Sequence, residues 1–187
     1  DRRILEAARA FGARAELTRP DHRSGTDRMA EVAERIPADL YVNLQGDEPG
    51  IDPAEIDRLI GEIGSAPMAT FRRKLALEEA ENPNVTKVVC DRHGYALYFS
   101  RAAVPFVRDV GRDVPRWAHV GIYVFRAEAL RRFVGFAPGE LEQAESLEQL
   151  RALENGMPIL TVPTAMRCFG VDVPEDVGRA ERILEER

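Results

Sequence analysis

The sequence predicts an α/β domain of three layers, with helices covering both faces of a mixed, mainly parallel sheet. Three observations predict it. Segments of helical spacing alternate with short apolar runs over most of the chain. The run Leu40-Tyr41-Val42-Asn43-Leu44 has the length and apolarity of a buried parallel-sheet strand, and Gly46 and Pro49 stop it. Between residues 85 and 125 the texture changes to paired strands, which reads as a β-rich lobe inserted into the βα order.

Taken in order, residues 4–11 have amphipathic helical spacing and are closed by Gly12. Residues 13–17 read as a weak strand, and a polar loop runs from Thr18 to Arg28. Met29, Val32, Ala33 and Ile36 share one helical face. The strand at 40–45 follows. Asp52-Pro53 is a cap followed by proline at the first helical position, and Ile56, Leu59, Ile60 and Ile63 form the buried stripe of that helix. A strand at 68–71 and a short helix at 75–81 come next. Strands at 85–90 and 95–99 flank Asp91-Arg92-His93-Gly94, a hairpin signal. Residues 100–115 form an arginine-rich loop, long enough to be functional. A strand at 119–125, helices at 127–134 and 140–154, and strands at 159–162 and 169–172 follow. A last helix starts at Pro174 and points Val177, Ala180, Ile183 and Leu184 inward.

A chain of 187 residues can build one domain with a real core. Its net charge of −6 leaves no basic excess to neutralise a nucleic-acid backbone. A nucleotide site, which needs only a few local cations, stays open. Cys90 and Cys168 have neither metal-type spacing nor the pattern of a disulfide scaffold. No apolar run approaches the roughly 18 residues of a membrane span, and no signal peptide is visible. A cytoplasmic protein without membrane insertion is the expectation.

The candidate chemistry starts at Asp47. Ligands of open α/β sheets bind at the carboxyl ends of strands, and Gly46 beside Asp47 presents no obstructing side chain. A carboxylate there suits Mg²⁺, which takes one or two carboxylates together with substrate phosphates. A plain turn with Asp47 as a cap fits the same residues. Asp172 repeats the pattern after a second short strand beside Gly170, and could equally cap the Pro174 helix. The pairing of two strand-end aspartates is what favours a metal. The loop His22-Arg23-Ser24-Gly25-Thr26-Asp27-Arg28 precedes a helix, where backbone amides can hold a phosphate or a base edge. Arg101, Arg108 and His119 form a cationic set around the inserted lobe, and arginine recognises carboxylates in a bidentate fork. That suits an acidic small molecule, although solvated arginines have the same spacing. Glu148 and Gln149 flank the apolar stripe of Leu147, Leu150 and Leu153 and either bind hydroxyls or face water. No Ser/His/Asp or Cys/His set stands out.

Seven segments then match one family in its order. They are Asp21-His22-Arg23-Ser24-Gly25-Thr26-Asp27-Arg28, Leu44-Gln45-Gly46-Asp47-Glu48-Pro49, and Asn82-Pro83-Asn84 with Lys87-Val88-Val89. Ala96-Leu97-Tyr98-Phe99-Ser100-Arg101, His119-Val120-Gly121-Ile122-Tyr123, Leu147-Glu148-Gln149-Leu150-Arg151 and Gly170-Val171-Asp172-Val173-Pro174-Glu175-Asp176 complete the set. The chain thus resembles the 3-deoxy-manno-octulosonate cytidylyltransferases, the CMP-Kdo synthetases of the nucleotidyltransferase superfamily. The resemblance implies a Rossmann-like nucleotidyltransferase core and an enzyme that joins CTP and the acid sugar Kdo into CMP-Kdo and pyrophosphate for lipopolysaccharide biosynthesis. It implies Mg²⁺ on Asp47 and Asp172, which are then the catalytic pair. It places Ser24, Gly25, Thr26, Arg28 and Gln45 around the nucleotide. Arg101, Arg108, His119, Tyr123, Glu148 and Gln149 would hold Kdo. A homodimer is implied as well, with the 85–125 lobe serving substrate and dimerisation. The family pattern also has a leading strand and a glycine- and arginine-containing loop, ending in Lys, around the CTP triphosphate. Nothing in the 187 residues matches it. The expectation is therefore an N-terminally incomplete domain over 1–187 that, as written, binds CTP poorly and turns over little. A cytidylyltransferase for another acidic sugar or a phosphonate, or an inactive nucleotidyltransferase-like binding domain, are the alternatives.

Overall fold

The computed structural model describes residues 1–109, 111–112, 114–166, 170–171 and 173–185. Of the strand predicted at 169–172, Phe169 and Asp172 lie outside them, and Gly170 and Val171 form no strand.

The helix at 4–11 forms as α1 (Arg2–Ala10), capped by the Asp1 carboxylate, which accepts from Arg3 N at 2.7 Å. It buries none of its residues; Ile4 is 72% exposed, and Phe11 just beyond it is 77% exposed. Local capping, rather than packing, carries this helix. The strand expected at 13–17 does not form. Its carbonyls go to arginine side chains instead: Arg35 Nη1 donates to Leu17 O at 3.1 Å and Arg9 Nη2 to Ala15 O at 3.5 Å. Helix α2 (Gly25–Arg35) starts before its apolar stripe because Ser24 caps it, its Oγ accepting from Asp27 N at 3.1 Å.

Among the described residues six strands form one sheet: β1 (Leu40–Asn43), β2 (Met68–Lys74), β3 (Lys87–Cys90), β4 (Ala96–Ser100), β5 (Trp117–Arg126) and β6 (Ile159–Thr164). β5 is antiparallel to β1, β2 and β3. β2 and β6 are parallel, and β3 and β4 antiparallel. Hence β1, β2, β3 and β6 run one way and only β4 and β5 oppose them. The sheet is mixed, and mainly parallel in strand direction, yet its one directly parallel pair is β2 with β6. The segment 85–125, expected as an inserted β-rich lobe, contributes β3, β4 and β5 to this same sheet, with β5 at its middle. The hairpin turn at 91–94 closes with Gly94 at φ +87, where an L side chain would be strained.

Alternation along the strands sorts residues to the two faces. On one face Leu59 and Ile63 of α3 (Pro53–Glu62) and its cap pack on Ala69, Phe71, Val120, Ile122, Val124 and Val162. On the other, Met68, Val88, Phe99 and Phe125 meet Leu130 and Phe133 of α4 (Ala127–Val134), with Met29 and Ala33 of α2 packed against them. Two apolar layers around one sheet give the three-layer architecture.

Two further differences bear on function. The helix expected over 140–154 is broken into α5 (Glu140–Glu145) and α6 (Leu150–Glu154), because Ser146 adopts a left-handed conformation at φ 51. Arg151 then grips Glu142 across the break, Nε to Oε2 at 2.8 Å and Nη2 to Oε1 at 2.5 Å. The terminal helix α7 (Pro174–Glu185) buries Ala180, whereas Val177 and Leu184, expected inward, are exposed. The Ile183 side chain lies outside the described ones.

Candidate active site

The break at Ser146 turns Glu148 toward the N-terminus of α2. Thr26, 2% exposed, donates its hydroxyl to Glu148 Oε2 at 2.7 Å and accepts from Asn43 Nδ2 at 3.3 Å. Asn43 is the last residue of β1, buried in a strand that is otherwise apolar. The chain of hydrogen bonds runs Asn43 to Thr26 to Glu148, so a strand end, a helix start and the 146–149 turn fix one another. Gly25 stands against the same strand, since a Cβ there would lie 3.9 Å from Asn43 Oδ1. The second oxygen of Glu148, Oε1, is buried and has no hydrogen-bond partner among the described residues. A buried carboxylate oxygen left over in this way is costly unless a ligand donor completes it. Gln149, 5% exposed, adjoins it in the chain.

β5 supplies the next wall. Asn43 and Thr70 both register with Tyr123, from opposite neighbouring strands. The His119 and Tyr123 rings lie 5.3 Å apart, and Phe99 meets His119 edge-on at 5.1 Å. Burial pushes the His119 imidazole down to about 3, so it is neutral at physiological pH. His119 therefore does not belong to the cationic set in which the sequence placed it. Burial first, and the Glu148 charge second, push the Tyr123 phenol up, so Tyr123 keeps its proton. Its OH remains a donor.

Arg101 occupies a junction. Its Nε donates to Glu145 O at 2.7 Å, Nη1 to Pro83 O at 2.9 Å and Nη2 to Ser146 O at 3.3 Å. Three of its five N–H groups thus hold backbone, and two are uncommitted among the described residues. Glu145 answers by accepting from Ser100 Oγ at 2.7 Å and Arg101 N at 2.9 Å. Burial pushes the Glu145 carboxyl up, but these hydrogen bonds outweigh it and the net shift is downward. Lys87 lies under this junction, fully buried, with Nζ donating to Asn82 O at 2.8 Å and Arg101 O at 2.5 Å. Burial pulls its pKa down. The two strands, the Asn82-Pro83 turn and the left-handed residue Ser146 are therefore tied at one point beside Glu148.

Asp47 sits past the end of β1, exposed, in the loop that also carries an exposed Gln45. The Val171 N–H donates to Asp47 O at 2.8 Å, so the segment that leads into Asp172 runs along the Asp47 loop. Among the described residues no three carboxylate, His or Cys side chains converge as a metal cluster. The remaining site residues are more dispersed. Arg108 is exposed in the 101–116 loop. Arg28 folds back on its own loop, Nη1 donating to Arg19 O at 3.0 Å and to Thr18 Oγ1. His22 is pinned to Glu31, a structural tie. Asn43, Thr70, Glu145 and Lys87 were not singled out as site residues from the sequence. A polar residue at the end of an apolar strand, as at Asn43, or inside one, as in Ala69-Thr70-Phe71, is the available signal.

A three-layer α/β fold with its polar cluster at the end of β1 and at a helix N-terminus defines a nucleotidyltransferase-type protein. The sequence pattern of the cytidylyltransferase family matches residues 1–159, and the chain belongs to that family. It is 48% identical over 200 residues to the 3-deoxy-manno-octulosonate cytidylyltransferase of Geobacter sulfurreducens, covering 100% of this chain and 79% of that protein. It is 52% identical over 187 residues to the enzyme of the same name from Anaeromyxobacter sp. strain Fw109-5, covering 98% and 76%. Its structure superposes on that of a CMP:2-keto-3-deoxy-manno-octonic acid synthetase complexed with CTP. That match has a TM-score of 0.94 and 38% identity, and covers 100% of this chain and 78% of the other.

Proposed function

We propose that this protein transfers the cytidylyl group of CTP to Kdo, giving CMP-Kdo and pyrophosphate for lipopolysaccharide biosynthesis in the cytoplasm, and that it works as a homodimer. The anomeric hydroxyl of Kdo attacks the α-phosphorus of CTP, loses its proton, and pyrophosphate leaves. The acceptor hydroxyl is itself the nucleophile, in keeping with the absence of any recognisable nucleophile–base set in the sequence.

The observation that carries the reading is the Val171–Asp47 backbone hydrogen bond, which brings the segment before Asp172 to the Asp47 loop. Carboxylate oxygens, one exposed just past the end of β1 and the other next in sequence to Val171, are the hard-ligand chemistry that Mg²⁺ takes. Asp47 and Asp172 would hold it. Bound there it supplies charge stabilisation on the phosphate oxygens. Ser24, Gly25, Thr26, Arg28 and Gln45 line the nucleotide side. On the sugar side, Tyr123 OH donates to a Kdo oxygen and Glu148 Oε1 accepts from a hydroxyl. Gln149 adds an amide. Arg108 and the two uncommitted N–H groups of Arg101 face the Kdo carboxylate, which separates this acid from neutral sugars.

The test is pyrophosphate release from CTP and Kdo with Mg²⁺, using the natural-length protein and Asp47→Asn. Asp47 is exposed, so the variant keeps its fold. Turnover falls on the order of a hundredfold or more. Near-normal turnover in a folded variant removes Asp47 from the metal role. Release with another acidic acceptor but not with Kdo removes the assigned sugar.

A further inference from the structure

Opposite Thr70, the ladder between β2 and β5 is irregular. Thr70 pairs with Tyr123 and the next residue, Phe71, pairs with Val120, so β5 spends Gly121 and Ile122 in a bulge. A bulge takes carbonyls out of regular pairing, and they need other donors. Thr70, 0% exposed, supplies one: its Oγ1 lies 2.7 Å from Ile122 O and 3.0 Å from Val120 O. The same oxygen lies 3.0 Å from His119 Nε2.

A hydroxyl has one proton and two lone pairs. Turned to the bulge, the proton goes to Ile122 O or Val120 O, and a lone pair faces His119. The ring nitrogen must then be the donor. Turned instead to His119, the hydroxyl would take its proton away from Ile122 O, the carbonyl inside the bulge and the nearer of the two at 2.7 Å, at a cost of about 1–3 kcal/mol. The bulge therefore decides the tautomer. Nε2 carries the hydrogen, and Nδ1 is left as a lone-pair acceptor with no partner among the described residues.

We infer that Thr70 is a positioning residue of the acid-sugar pocket: it holds His119 as the Nε2–H tautomer so that Nδ1 accepts a hydrogen bond from a substrate hydroxyl. The inference rests on the assignment of His119 to the sugar side of the site. It changes what His119 recognises. A neutral acceptor cannot hold the sugar carboxylate; it selects a hydroxyl, and leaves the carboxylate to the arginines. His119, Tyr123 and Glu148 then form a neutral acceptor, a donor and a charged acceptor within one wall.

The tautomer can be measured without turnover, by long-range proton–nitrogen spectra of ¹⁵N-histidine protein, with His119→Gln used to assign the signal. The wild-type protein and Thr70→Ser show Nε2–H near neutral pH. Thr70→Val loses that preference, and its KM for Kdo rises about fivefold to tenfold. KM for CTP stays level, and Thr70→Ser restores KM for Kdo. An Nδ1–H tautomer in the wild type overturns the inference, as does an unchanged tautomer in Thr70→Val. Should Thr70→Val fail to fold, Thr70→Ala is read by the same spectra. Absence of activity with Kdo, with the tautomers as stated, counts against the substrate and leaves the role of Thr70 standing.

Discussion

Thr26 in the first turn of α2 donates to Glu148 Oε2 at 2.7 Å, although 122 residues separate them in the chain. This is the only hydrogen bond that the Glu148 side chain makes among the described residues, because its other oxygen is buried without a partner. One hydroxyl thus orients a carboxylate whose second oxygen is buried without a partner among the described residues. Removal of that hydroxyl alters the site directly.

Thr26→Val keeps the shape of the side chain but deprives both Asn43 Nδ2 and Glu148 Oε2 of their partner. Leaving such groups unpaired costs about 1–3 kcal/mol of stability. In the natural-length enzyme kcat/KM for Kdo falls by about tenfold or more. Thr26→Ser recovers most of both. Chemical denaturation and steady-state kinetics on the three proteins separate the two effects, and wild-type kinetics in Thr26→Val would show that Glu148 is held by something else.

Lys87 was part of a recognisable segment, but its burial could not be read from spacing. It is 0% exposed and joins Asn82 O to Arg101 O beneath the junction that sets the Ser146 turn. Lys87→Met preserves the apolar stem and removes both charge-assisted bonds. Loss of the buried charge returns part of the desolvation cost, but two carbonyls are stranded. The net result is a destabilisation of about 2–4 kcal/mol, or a fall in Tm on the order of 10 °C. Calorimetry reads it directly. The 146–149 turn also loosens, so KM for Kdo rises while KM for CTP changes less.

How much of this was legible beforehand depended on the range of the interactions. Helix α4 was visible because Ala129, Leu130 and Phe133 follow helical spacing and are buried on that stripe. The hairpin was visible because Gly94 marks its turn. The break between α5 and α6 was hidden, because Ser146 carries no sequence signal for a left-handed residue. It is held by Arg101, Glu145 and the Arg151–Glu142 pair. The strand expected at 13–17 failed because arginines from α1 and α2 took its carbonyls. The central position of β5 was also out of reach: nothing local says that a strand will be antiparallel to three neighbours. In the site, Glu148 and His119 were named from their segments, yet their states were set by residues far away in sequence. Thr26 fixes the first, and Thr70 with its bulge fixes the second. Short-range pattern identified the members of the site; long-range hydrogen bonds determined what each can donate or accept.

The half-buried ring of His119 also predicts a pH dependence. An exposed histidine has a pKa of 6.5, and burial moves this one to about 3. The folded protein thus leaves His119 neutral down to about 3, whereas the unfolded chain takes up a proton below about 6.5. Between those values the unfolded state binds more protons, so stability rises with pH and falls on acidification. Tyr123 lies against the His119 ring and feels the Glu148 charge, and it stays protonated throughout because its own pKa is pushed up. His119→Gln has no proton to gain and keeps a side-chain donor that can reach Thr70. Urea unfolding between pH 6 and pH 4 should show the wild type losing about 1.4 kcal/mol more per pH unit than the variant. Equal slopes would mean that His119 takes its proton within the folded protein. Nε2 would then still donate to Thr70 but Nδ1 would carry a hydrogen too, and the pocket would present a cation where the Thr70 arrangement requires an acceptor.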